Sequence, residues 1–273
     1  QAMADTFGRH FVDGLEPRLT TPRLGKLYAN ALTFALPLLK GEVDIVDLML
    51  IEGIRIFYPN LYAEIRGNPD LFLKQAQAQN QNVFAQAPQE SPLDTLLIRS
   101  LPEATQQERL RVRKGLLEPL FPRIGRMGYG GEWDQSWARK QKACSSEYFA
   151  RYFTYGIPHG DVGDAAIHSL LESLTRANEA ERTEILTDLS SRGAFPKLIQ
   201  KLRAHAEEIP EEQAYALMVT LSANATLMPR ERGPMVIGGT IMQGGMLVSE
   251  LLRRIPDPDT RQRAAEEVID AAN

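Results

Sequence analysis

Residues 20–59, TTPRLGKLYANALTFALPLLKGEVDIVDLMLIEGIRIFYP, contain the capping and periodicity signals of two helices. Thr21 can cap the first helix with its hydroxyl, and Pro22 suits the first helical position, where no N–H is needed. Apolar residues then recur at intervals of three and four, which predicts a helix packed on one side. The residues of this stripe are Leu24, Leu27, Tyr28, Ala31, Leu32, Ala35 and Leu36.

A second helix follows after a short break. Pro37 and Gly41 interrupt the first helix, and Asp44 can cap a second one that runs to Pro59. This second helix carries the acidic residues Asp47 and Glu52 among its apolar residues. Nothing beside them in the sequence could activate a water molecule, so general acid–base catalysis is not expected here.

Arg23 and Asn30 form a polar pair on the first helix. A cation in a first turn faces the positive end of the helix dipole, which costs about 0.3–1 kcal/mol. Seven residues make nearly two turns, so Arg23 and Asn30 share a face about 10 Å apart. We therefore expect Arg23 to serve a group outside its helix; the alternative is that it pairs with a carboxylate at the helix start.

The remaining sequence predicts further helices and no strand, because alternation of apolar and polar residues never persists. The expected fold class is all-α and multi-helical, with a C-terminal array of helical hairpins. Three segments are expected: a helical part (1–90), a connecting region with a basic patch and an aromatic helix (91–163), and a C-terminal helical domain (164–273). The polar run 75–89 is expected to be a loop or a frayed helix end.

Residues 109–142 are rich in basic side chains, with Tyr129, Trp133 and Trp137 between them. Such a mixture can bind a nucleic-acid backbone by charge and stack bases on the aromatic rings. The simpler interpretation, which we favour, places the arginines on a solvated helix face and the two tryptophans in the core. The candidate nucleic-acid contacts are Arg109, Arg111, Arg113, Lys114, Arg123 and Arg126.

The composition is that of an ordinary globular chain. Of its 273 residues 43% are hydrophobic and 24% charged, and the net charge of −4 implies neither a polyanion nor an anionic membrane as partner. One cysteine, no signal-peptide pattern and no membrane-length apolar run lead us to expect a cytoplasmic protein without a membrane span. The four histidines are scattered, so no metal site is expected.

Two ordered blocks resemble the KAP family of P-loop NTPases. The first comprises Thr21-Pro22-Arg23, Leu27, Asn30-Ala31-Leu32, Pro37-Leu38, Gly41-Glu42-Val43, Asp47-Leu48 and the run from Glu52 to Tyr62. The second comprises residues 148–155 with Pro158, Gly160-Asp161-Val162 and Asp164. The resemblance covers residues 7–171 and corresponds to the part of such proteins that follows the nucleotide-binding core.

The resemblance implies a regulatory and oligomerisation region of a larger ATPase, in which residues 1–90 form a lid-like part that follows the NTPase core. The chain has no Gly-x4-Gly-Lys-Ser/Thr loop, so we expect no enzymatic activity and no cofactor in this chain alone; ATP and magnesium would belong to the parent protein. By resemblance, Arg23, with Asn30, senses nucleotide in the parent, since an arginine fork stabilises charge on a transferring phosphoryl group.

The partners expected from this resemblance are the missing N-terminal NTPase core and either a second copy or another protein. Anti-phage defence in bacteria is one role that it suggests for the parent. Two alternatives remain open at this point: a standalone α-helical protein-interaction scaffold, and a nucleic-acid-binding helical module that uses residues 109–142.

Overall fold

The computed structural model describes residues 2–74, 91–125, 128–229 and 239–272. Within these ranges the regular structure is helical and contains no strand, which confirms the all-α, multi-helical class. The polar run 75–89 and Arg126 lie outside the described residues. None of the described helices combines the length and the apolarity that crossing a membrane requires.

The chain forms two compact units, Gln1–Gly156 and Ile157–Asn273, rather than the three segments expected from the sequence. Residues of the first two expected segments share one hydrophobic core, which extends from Leu15 to Phe153. The helices of the N-terminal unit are α1 (Ala2–Gly14), α2 (Pro22–Leu38), α3 (Ile45–Phe57), α4 (Pro59–Gly67), α5 (Pro69–Leu73), α6 (Pro92–Ser100), α7 (Gln106–Val112), α8 (Glu118–Leu120), α9 (Gly131–Arg139) and α10 (Arg151–Thr154).

Helix α3 lies at the centre of the N-terminal unit, between α1, α2 and α4. Its side chains are buried on almost every side, including those of Asp47 and Glu52. The backbone of α3 approaches Leu15 closely at Gly53, where an added Cβ would lie 2.3 Å from a Leu15 methyl carbon. A glycine is therefore needed at this position to let the two segments pack.

The α2 helix begins as predicted but ends later. Thr21 Oγ1 accepts a hydrogen bond from the Leu24 N–H at 3.3 Å, and Pro22 occupies the first turn. Pro37 does not break the helix, which continues to Leu38, and the chain turns at Gly41 with a φ of +79°. Pro37 has no N–H to donate to the carbonyl four residues earlier, so the last turn lacks one hydrogen bond and the helix ends one residue later.

Residues 140–150 are mostly turns, although the sequence predicts an aromatic helix in the connecting region. Only Arg151–Thr154 is helical in this region. Arg151 is fully buried, and its Nη1 lies 2.5 Å from Glu42 Oε2. The segment is held by such long-range contacts, and these prevail over its local helical preference.

The C-terminal unit consists of successive helices, α11 (Asp164–Arg176), α12 (Glu179–Ser191), α13 (Phe195–Ala204), α14 (Glu211–Ala223), α15 (Thr240–Arg253) and α16 (Pro258–Ala271). Helix α14 is central and packs against α11, α12, α15 and α16. Asn178 caps α12 with a reciprocal hydrogen-bond pair to Glu181. Short connections join these helices except α14 and α15, which are separated by residues 224–239. Helix α15 packs on both of its neighbours in sequence, α14 and α16, whereas α11 and α13 pack on the more distant helices α14 and α15.

Candidate functional site

The strongest candidate site is the solvent-facing side of α2, which we call the outer face and define by Arg23, Leu27, Asn30, Phe34 and Leu38. The exposed fractions of the three apolar residues are 44% for Leu27, 59% for Phe34 and 51% for Leu38. Their spacing of seven and four places them in one row along the helix. The sequence placed Leu27 in the buried stripe, and the structure corrects this assignment.

The opposite side of α2 explains why the outer face is left exposed. Tyr28, Ala31 and Ala35 are buried and pack against the core of the N-terminal unit. The Tyr28 hydroxyl donates a hydrogen bond to the Met49 carbonyl on α3 at 2.8 Å. Because this hydroxyl anchors α2 to α3, the rotation of α2 is fixed and its second apolar row faces solvent.

Arg23 lies exposed at the N-terminal end of the outer face. Its side chain forms no ion pair or hydrogen bond with any residue in the part of the chain that the structure describes. The side chain of Asn30, also exposed, makes no hydrogen bond within the same ranges. The carboxylate partner considered for Arg23 at the helix start is thus not found among the described residues, and the guanidinium is available to a ligand.

Beneath the outer face lies a polar cluster formed by Glu52, Arg55 and Tyr155. The Glu52 side chain is completely buried, and its Oε2 accepts a hydrogen bond from Arg55 Nη2 at 2.6 Å. The Tyr155 hydroxyl donates to Glu52 Oε1. Burial, the hydrogen bond to Glu52 and the negative charge of Glu52 raise the pKa of Tyr155 above its ordinary value. The phenol therefore stays protonated and acts as a donor.

Tyr155 also connects this cluster to the outer face. Its ring centroid lies 5.8 Å from that of Phe34, and the Arg55 guanidinium carbon lies 5.7 Å from the Tyr155 ring centroid. Tyr155 has a φ of +53°, in the left-handed region that non-glycine residues rarely adopt. These contacts hold it there against a backbone cost of about 1–3 kcal/mol.

A second polar cluster fixes the turn between α2 and α3. Lys142 Nζ lies 3.1 Å from Asp44 Oδ1 and 3.0 Å from Asp47 Oδ1, and Asp47 Oδ2 accepts from the Ala143 N–H at 2.9 Å. Burial raises the pKa of Asp47 to about 6, although the neighbouring Lys142 charge opposes the change. Burial also raises the pKa of the Cys144 thiol to about 12, so this buried side chain stays protonated at neutral pH.

Most of the basic residues proposed as nucleic-acid contacts are engaged inside the protein. Arg109 donates to the carbonyls of Leu101 and Ala104. Arg113 bridges Asp94 and Glu118. Nucleic-acid binding by this segment stays a prediction that depends on the remaining side chains.

The other four candidates differ in their surroundings. Arg123 donates to the Leu73 carbonyl, pairs with Asp134 and stacks on Trp137. Lys114 is exposed but pairs with Glu118, and Arg111 is exposed and forms no ion pair with described residues. Arg126 lies outside the described ranges. Of the two tryptophans expected in the core, Trp137 is buried and Trp133 is 46% exposed.

In the described ranges, histidine, cysteine and acidic side chains form no group of three or more that could hold a metal ion.

Comparison with known protein families, with curated proteins and with solved structures finds no match for this chain. The proposals below rest on the residues and their geometry, together with the resemblance of the two sequence blocks.

Proposed function

We propose that this chain is a lid-like regulatory region of a KAP-type P-loop ATPase, and that the outer face of α2 docks on the nucleotide-binding core. The observation that supports the proposal is an exposed Arg23 with no partner among the described residues, at the end of an exposed apolar row. The anti-phage role, the cytoplasmic location and the parent's use of ATP and magnesium are parts of this proposal that rest on the resemblance.

The chemistry of the outer face fits this task. An arginine presents a planar fork that matches phosphate oxygens, and its charge is permanent. Leu27, Phe34 and Leu38 supply the apolar contact area that a docked domain needs, and Asn30 adds a hydrogen-bonding group between Leu27 and Phe34. The buried Tyr28 side of the helix holds this surface in place, so docking requires little reordering.

The test measures ATP hydrolysis by the complete ATPase that contains this chain, with Arg23→Ala and Arg23→Lys. A guanidinium that stabilises the transferring phosphoryl group is worth about 10³-fold or more in kcat, and lysine should restore only part of the loss because it lacks the fork. Lys26→Ala is the matched control, since Lys26 is an exposed cation on the same helix. Hydrolysis that is unchanged in Arg23→Ala would refute the sensing role.

The same variants distinguish sensing from folding. Because the Arg23 side chain makes no ion pair or hydrogen bond within the described residues, Arg23→Ala should not lower the free energy of unfolding of this chain by more than about 0.5 kcal/mol. A larger loss would show that Arg23 stabilises the fold, and its effect on hydrolysis would then be indirect.

A standalone helical scaffold is the second candidate, and the exposed Phe34 favours it. In that case Phe34→Ser should weaken binding of a protein partner equally with and without nucleotide. In the lid proposal, the same substitution should weaken docking on the core and lower hydrolysis. The nucleotide dependence of the Phe34→Ser defect therefore separates the two candidates.

A further inference from the structure

A groove of about 920 Å³ lies within the C-terminal unit, between α11 and α12. Residues 157–163 line it too, and Gly160 in this loop lies close to Gly193 just beyond α12, since a Cβ on Gly160 would be 3.7 Å from the Gly193 carbonyl oxygen. Both helices pack against α14, which leaves the space between them open on the other side.

The groove is as long as a short helix. Its α11 wall extends from Ala166 to Ala177, the residue after that helix, and its α12 wall from Glu181 to Arg192, also the residue after its helix; eleven residues of helix span about 17 Å. The small side chains of Ala166 and Ser173 leave room on the α11 wall, and Leu170, Ile185 and Leu189 provide apolar surface. A helix of about three turns could lie along these walls.

The charge along one wall indicates the partner's chemistry. Glu181, Glu184 and Asp188 line the α12 side and are exposed. Asp188 pairs with Arg192, and a carboxylate oxygen of Glu181 accepts a hydrogen bond from the Asn178 N–H. Glu184 forms no ion pair with described residues, so the wall carries excess negative charge. An apolar stripe flanked by cations complements such a wall.

We propose that the groove between α11 and α12 binds an amphipathic helix that carries lysine or arginine beside its apolar stripe. The partner is a segment of another protein that forms such a basic amphipathic helix. This inference is independent of the outer face of α2, because all of the groove's residues lie in the C-terminal unit.

The test uses the whole chain and two synthetic helical peptides of three to four turns. Both peptides carry the same leucine stripe, flanked by lysines in one and by glutamates in the other. Fluorescence anisotropy should show binding of the lysine peptide only, and this affinity should fall as salt is added. Ser173→Trp, which fills the groove, should abolish binding.

Glu184→Lys should lower the affinity for the lysine peptide by about tenfold, because the substitution replaces an attraction with a repulsion. Glu172→Lys is the control, since Glu172 is an exposed residue of α11 that does not line the groove. Circular dichroism and unfolding curves confirm that each variant is folded.

Three results would overturn the proposal: no binding of the lysine peptide, equal binding of both peptides, or equal effects of Glu184→Lys and Glu172→Lys. Light scattering adds a fourth. If the unmodified protein is a dimer and Ser173→Trp makes it a monomer, the groove is occupied by a second copy instead.

Discussion

The hydroxyl of Tyr155 donates a hydrogen bond to Glu52, a carboxylate with no solvent-exposed surface. The two residues are 103 positions apart in the chain. Their contact ties the last residues of the N-terminal unit to its central helix α3, directly beneath Phe34 on the outer face of α2. Any ligand that moves Phe34 would therefore act on this pair.

Tyr155→Phe should lower the free energy of unfolding by about 1–3 kcal/mol, because a buried carboxylate oxygen loses its donor. Urea unfolding followed by circular dichroism measures this loss. Tyr129→Phe is the matched control, since the Tyr129 hydroxyl makes no hydrogen bond with described residues while its ring packs on Trp133 and Trp137. Equal losses in both variants would contradict the assigned role of the Tyr155 hydroxyl.

Asp47 should make stability fall as the pH rises from about 4 to 6. Its pKa is raised from 3.8 to about 6 in the folded protein, so the folded state binds more protons than the unfolded state in this range. The contribution is at most about 1.4 kcal/mol per pH unit.

Comparison of the unmodified chain with the Asp47→Asn variant isolates this contribution, because the asparagine amide cannot titrate. The difference in urea midpoint between the two proteins should change steadily from pH 4 to pH 6 in favour of Asp47→Asn. A difference that does not vary with pH would show that Asp47 keeps its ordinary titration in the fold.

Gly53→Ala and Gly8→Ala should have opposite effects on stability. At Gly53 in α3 the new methyl group would meet the buried Leu15, and the overpacking should cost about 1–3 kcal/mol. At Gly8 in α1 a Cβ has no neighbour within 4 Å, so the gain in helix propensity of up to about 1 kcal/mol should prevail. Thermal unfolding measures both, and destabilisation by both would indicate that α1 is packed differently.

Lys201→Met should destabilise the C-terminal unit by about 3–5 kcal/mol, because it removes the cation from a buried cluster. Lys201 Nζ donates to the Val162 carbonyl at 2.5 Å and lies 3.3 Å from Asp161 and 2.7 Å from Asp164. Lys197→Met is the control, since Lys197 lies on the same helix and its amine reaches Gln200 near solvent.

A triple variant provides a second test of the buried cluster. If the loss comes from unpaired carboxylates, adding Asp161→Asn and Asp164→Asn to Lys201→Met should recover part of the stability. No recovery would mean that the lysine acts through packing alone.

Local sequence signals predicted the helix starts well. Thr21 and Asp44 are the predicted caps, and each side chain accepts a hydrogen bond from a backbone N–H three residues later. The side chains of Ser91 and Thr105 cap α6 and α7 in the same way. These signals are reliable because a cap and its helix are neighbours in sequence, and no distant residue is needed to form the contact.

The buried charged groups were not predictable in the same way. The local pattern places Asp47 and Glu52 on a helix and does not predict that they or Arg151 are buried, yet all three are buried and paired. Arg151 pairs with Glu42, and Asp47 pairs with Lys142. The acidic residues of α3 did indicate buried ion pairs, because they stand in an otherwise apolar helix. A charge is buried only when a partner satisfies it.

The sequence by itself determined that this chain is helical, where most helices begin, and that Arg23 and Asn30 share a face, because capping and periodicity are properties of neighbouring residues. Only the tertiary structure decided that Leu27 leaves the predicted stripe of α2 and faces solvent in one row with Phe34 and Leu38. Both rows fit a helix, and the Tyr28 hydrogen bond to Met49 and the packing on α3 select one of them. The other row, with Phe34 at its centre, faces solvent because nothing in the described core is left to cover it.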